Sequence, residues 1–76
     1  KGSYEANRFG QKMTFSYYGA SYVTIDMAER TFTVTQVPAY RTAREMIRFL
    51  AELCGLELPD MQARTYKFEV IHEINL

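Results

Sequence analysis

One stretch of this chain, residues 42–56, carries the three-and-four spacing of an amphipathic helix, and most of the remainder alternates with a period of two. The helix has a start signal. Thr42-Ala43-Arg44-Glu45 matches a capping box, in which Thr42 accepts from the amide of Glu45 and Glu45 reaches back to the amide of Thr42. Ala43, Met46, Ile47, Leu50, Leu53 and Cys54 then form one apolar stripe, widened by Phe49. Gly55 stands where a left-handed C-cap belongs, and Leu56 follows to pack back on the last turn. A single helix cannot bury its stripe on itself, and a strand that alternates has one apolar side. Both are satisfied by a small sheet with one helix across one face, so the expected fold class is α+β.

The strands follow from the alternation. Residues 1–10 show no periodicity and are expected to be a flexible lead-in, with a single domain over 11–76. From Gln11, Met13, Phe15 and Tyr17 point one way, and Lys12, Thr14, Ser16 and Tyr18 the other. Gly19-Ala20 is expected to form a type II′ hairpin turn, glycine first. Val23, Ile25 and Met27 then face inward, with Tyr22, Thr24 and Asp26 outward. Ala28-Glu29-Arg30 must reverse the chain without a glycine or asparagine. Thr31 to Val37 is the strongest strand: Phe32 and Val34 face the core, Thr31, Thr33 and Thr35 form an outer ladder, and Pro38 ends the pairing. After an irregular connection, a last strand is expected from Thr65 to about Ile74. Tyr66, Phe68, Val70, His72 and Ile74 share one face of it. The expected order is β-β-β-α-β.

Composition then narrows the function. Nine Lys or Arg balance nine Asp or Glu, so the chain lacks the basic excess that counterion-driven binding to nucleic acid requires. No nucleic-acid partner is expected. No apolar run approaches the length of a spanning helix. Cys54 is the sole cysteine, so there is no internal disulfide, and the first eleven residues are polar and glycine-bearing, without a signal-peptide pattern. Both fit a cytoplasmic location.

The catalytic inventory is thin. His72 is the only histidine and falls on the inward face of the last strand, where packing explains it. Cys54 lies near a helix C-terminus, whose negative dipole raises a thiol pKa rather than activating it. The four glycines are scattered and none opens a helix to cradle phosphate. There is no zinc spacing and no calcium loop. The chain is therefore expected to be non-catalytic, with no cofactor and no metal.

Binding features remain. Arg41, Arg44 and Arg48 recur at three-and-four spacing along the helix, and Arg30 would join them if its strand lies beside the helix start. They form either a basic patch for an acidic partner or a solvated face tied by Arg41–Glu45 and Arg48–Glu52 pairs. Tyr18 and Tyr22 are expected to face outward near each other. That pair offers either an interface or a cross-strand contact that steadies the hairpin.

The stretch from Thr31 to Val70 resembles the ubiquitin-like β-grasp superfamily, and within it Ras-association domains and the first lobe of FERM domains. The residues carrying the resemblance are Thr31-Phe-Thr-Val-Thr-Gln-Val37, Thr42-Ala-Arg-Glu-Met46, Gly55-Leu56 and Tyr66-Lys-Phe-Glu-Val70. It implies a protein-recognition module of signalling type, with a Ras-family small GTPase as partner, or a FERM-like lobe. It also implies that Arg30, Arg41 and Arg44 meet the partner's acidic surface, with Arg48 one turn further on. Lys12 to Tyr18 is a strand beyond that family's pattern. Either the last strand takes the centre of the sheet, or the fold is a variant or a fragment. The alternative function is a small structural protein, of phage or mobile-element type, that forms a weak homodimer through its sheet edge.

Overall fold

A computed structural model describes residues 4–58 and 61–69. Among the described residues, five strands and one helix follow in the order β1 (Tyr4–Phe9), β2 (Lys12–Tyr17), β3 (Ala20–Asp26), β4 (Thr31–Val34), α1 (Arg41–Leu53) and β5 (Thr65–Lys67). The strands make one antiparallel sheet in chain order, β1-β2-β3-β4-β5. The α+β class and the single helix agree with the sequence reading. The last described strand does not take the centre of the sheet. It lies at the edge, antiparallel to β4.

The segment read as a flexible lead-in contains β1, paired along its whole length with β2. All six of its residues are exposed, so it has no buried side to impose alternation on its sequence. Gly10-Gln11 joins the two strands. Gly10 has φ of 59°, which suits the first position of a type II′ turn.

The next hairpin turns one residue earlier than expected. Tyr17 pairs with Ala20, leaving Tyr18-Gly19 as the loop. Both have positive φ, 53° and 79°, the signature of a type I′ turn rather than II′. Beyond it the register shifts: Ser16 pairs with Ser21 but Phe15 with Val23, so Tyr22 is an extra, bulged residue. The bulge overturns the outward placement of Tyr22, which is 4% exposed and belongs to the core beside Val23.

The glycine-free reversal after β3 is built by Asp26. Its carboxylate accepts from the amides of Ala28 and Glu29, each at 3.0 Å, the side-chain turn that Asp readily forms. Arg30 takes the positive φ, 58°.

Across the sheet, one row on the helix side reads Ala6, Phe15, Val23, Val34, and a second reads Arg8, Met13, Ile25, Phe32, Tyr66. Along both rows burial rises from exposed on β1, through partial on β2, to complete or nearly so on β3 and β4. The core therefore sits under α1, over β3 and β4, with Val23, Phe32, Val34 and Ile47 at its centre. The opposite face carries a row of Asn7, Thr14, Thr24, Thr33 and Thr65. There Thr33 and Thr65 share a hydroxyl–hydroxyl bond of 3.0 Å.

The helix buries Ala43, Ile47, Leu50 and Ala51, with Cys54 just beyond it. Its ends divide the sequence expectations. The C-terminus is as expected: Gly55 has φ of 75°, its amide donates to Glu52 O at 3.0 Å, and the Leu56 amide donates to Ala51 O at 2.8 Å. These two bonds are a Schellman motif. The capping box, however, does not form. The N-cap is Tyr40, without a side-chain cap bond, and the Tyr40 carbonyl already accepts from Arg44 N at 3.0 Å. Thr42 lies inside the first turn and is exposed. Buried Pro38 and the Tyr40 ring, packed on Tyr17, anchor the chain two residues ahead of the local signal. Phe49 is also a correction. It is 60% exposed, between partly buried Met46 and Leu53 on a flank of the helix.

β4 ends at Val34, short of Val37: the Thr35 amide still donates to Tyr22 O at 2.9 Å, and the Thr35 and Gln36 side chains donate to Ser21 O at 2.6 and 2.9 Å. Phe68 is buried as expected. The part of the last strand expected from Val70 to Ile74, with His72, lies outside the described residues.

Candidate protein-interaction surface

The helix lies closest to β3, so the β1–β2 half of the same sheet face is less covered: β1 is exposed throughout, while Phe15 and Tyr17 of β2 pack against the core. Arg48 and Glu52 share a shallow cleft with Leu56, Glu57 and Leu58, in the segment that leads towards β5. Met46, Phe49 and Leu53 lie on the opposite flank of the helix, Met46 and Leu53 partly buried against the core and Phe49 exposed.

Four tyrosines gather at one end of this half-face. Tyr17 is central: its ring lies 5.0 Å from that of Tyr4, 4.7 Å from Tyr18 and 6.2 Å from Tyr40, the last two edge-on. Tyr4, Tyr18 and Tyr40 remain 53%, 74% and 59% exposed. An edge-packed, largely exposed tyrosine group has little rotamer freedom to lose on binding and offers both apolar area and hydroxyls, which is why such residues concentrate in interfaces. The sequence reading found Tyr18 but paired it with Tyr22, which the bulge removes to the core. It missed Tyr4, inside the supposed lead-in, and Tyr40, which only tertiary packing brings to Tyr17.

The arginines do not assemble as one patch. Arg41 is exposed and meets Glu45 at 4.0 Å, an exposed pair worth about 0.5 kcal/mol at most. Arg44 and Arg48 are exposed on the same side of α1, and no Arg48–Glu52 bridge forms among the described residues. Arg30 sits at the β3–β4 turn, the end of β4 opposite to the one from which the chain leaves for the helix. Its guanidinium donates to Glu69 O at 2.8 Å and its carbonyl accepts from Phe68 N at 3.0 Å. It ties that turn to the segment after β5.

Cys54 is buried, and burial pushes its thiol above the ordinary value of 9.0. The expectation of a raised pKa agrees, but the cause is desolvation rather than the helix dipole. Among the described residues no cluster of His, Cys, Asp and Glu could hold a metal ion, and no helix is long and apolar enough to cross a membrane.

No family model, no curated protein and no solved structure matches this chain.

Proposed function

We propose that this protein is a non-catalytic recognition module that works by binding another protein. The observation that carries the reading is the tyrosine group on the less covered half of the sheet: Tyr4, Tyr18 and Tyr40 exposed around Tyr17. A chain this small gains from covering every apolar surface it has, and exposed aromatic groups that persist in such a fold mark a contact site.

The finer kinship, a β-grasp-like fold of Ras-association or FERM-lobe type, rests on the residues of β4, α1 and β5. Under it the partner is a Ras-family small GTPase, met by the exposed Arg41, Arg44 and Arg48 flank, with Arg30 contributing from a separate place. Steering by such charges acts on the association rate and weakens with salt.

The test titrates three forms against GTP-loaded Ras-family proteins at two ionic strengths: the wild type, Tyr18→Ser/Tyr40→Ser and Arg30→Glu/Arg44→Glu. Salt-sensitive binding lost in the arginine variant supports the GTPase reading, and a wild type that binds none at micromolar concentration ends it. The broader reading is tested by crosslinking in extracts. If the wild type captures no protein that the tyrosine variant fails to capture, the tyrosine surface is not a recognition site.

A further inference from the structure

The two edges of the sheet are built differently. β5 has three residues and carries Lys67, and short strands with lysine are the usual devices that keep a sheet edge from pairing with another chain. β1 has six residues, no proline, no lysine and an unbroken register with β2. Nothing among the described residues covers it.

Its hydrogen-bonding pattern follows from the turn. Phe9 and Lys12 flank the two-residue loop Gly10-Gln11, so they form the closing hydrogen-bonded pair. The alternate pairs, Asn7 with Thr14 and Glu5 with Ser16, are bonded in the same way. Tyr4, Ala6 and Arg8 therefore turn their amides and carbonyls outward, to the free edge.

We infer that this edge takes a second copy of the chain, β1 pairing antiparallel with β1 of the partner about a two-fold axis through Ala6. The inference rests on the reading of the protein as an interaction module and names one partner for its open side. A two-fold axis normal to the sheet keeps each face continuous and must pass through a residue centre. An axis at Glu5 or at Arg8 sets like charges directly opposite, which is destabilising. An axis at Asn7 sets Glu5 against Phe9 of the other copy. An axis at Ala6 sets a small residue against itself, Glu5 against Asn7, and Tyr4 against Arg8, whose guanidinium would exchange its exposed bond to Gly10 O, 3.1 Å, for the tyrosine ring. The outward groups of Tyr4, Ala6 and Arg8 pair completely in that register, and the two open half-faces become neighbours in one continuous sheet. The chain's formal net charge of zero adds no repulsion between copies. An edge contact of this length is at the small end of specific interfaces, so the dimer is weak and concentration-dependent.

Amide hydrogen exchange of the full chain tests this directly. Between dilute and concentrated samples, exchange at Ala6 and Arg8 should slow roughly tenfold, in step with the dimer fraction. Glu5 and Asn7, already bonded to β2, should not change. Sedimentation of the wild type should show a mass that rises with concentration. Ala6→Lys should remain monomeric with an unchanged thermal midpoint, since it puts like charges on the axis of an exposed site. Exchange at Ala6 and Arg8 that is independent of concentration overturns the inference, as does an Ala6→Lys variant that dimerises like the wild type. Both outcomes leave the wider module reading standing, because crosslinking of other proteins to the tyrosine surface is read separately.

Discussion

Thr42→Ala separates the local helix signal from the helix as it is built. If Thr42 capped the helix, its removal would cost about 1 kcal/mol. In the structure the cap is Tyr40, and Thr42 is an exposed residue of the first turn without a cap bond. Alanine is then the better residue, because threonine loses side-chain freedom against the preceding turn. The expected change is a gain of about 0.5 kcal/mol. The sign thus reverses between the two accounts. In a domain of this size, a gain of that order raises the thermal midpoint by roughly 2–4 °C, whereas loss of a cap lowers it by roughly 4–8 °C. Tyr40→Asp is the companion change. It supplies the missing cap bond, about 1 kcal/mol, and a negative charge at a helix start whose first turn has no acidic residue, about 0.5 kcal/mol. It gives up the edge-on Tyr17 contact, about 0.5–1 kcal/mol. A net gain of about 0.5–1 kcal/mol is expected. Both variants are read by thermal and urea unfolding, monitored by circular dichroism at low protein concentration. A loss near 1 kcal/mol in Thr42→Ala would refute the reasoning and move the helix start to Thr42.

Three further outcomes are expected. Gly55→Ala should lower stability by about 1–2 kcal/mol in the same urea assay, since the residue holds φ of 75° and closes the Schellman motif; no change would mean that the C-cap is not formed in solution. Ile47→Ala, at a fully buried position under the helix, should cost about 2–5 kcal/mol, and a loss below about 1 kcal/mol would show that α1 does not pack on β3 and β4. Cys54 should react with a thiol reagent at least roughly tenfold faster in urea than in the native state. Because its folded pKa is raised by burial, its contribution to stability is full below the unfolded thiol pKa and is lost as pH rises through the folded one. The wild type should therefore lose more stability than Cys54→Ala in that alkaline window, and parallel pH profiles for the two would count against the burial.

The helix and its stop signal, the buried strand pair Phe32 and Val34, and the α+β class were legible because each rests on short-range pattern: spacing of apolar residues, a glycine at a left-handed position, β-branched alternation. What failed in the sequence reading failed for want of long-range information. β1 has no buried residue, so its pairing with β2 leaves no mark on its hydrophobic pattern. Strict alternation put Tyr22 outward, and one extra residue against β2 sends it to the core. The capping box is a strong local preference worth about 1 kcal/mol, yet the packing of Pro38 and of Tyr40 on Tyr17 sets the helix start ahead of it. The candidate surface was half visible for the same reason. Tyr18 sits in a turn that the sequence reading located to within one residue, but Tyr4, Tyr17 and Tyr40 come from three separate segments. Tyr4 meets Tyr17 through the β1–β2 register and Tyr40 through the place where the helix lands on the sheet, and burial energy summed over the whole core decides the latter, not any motif in the chain.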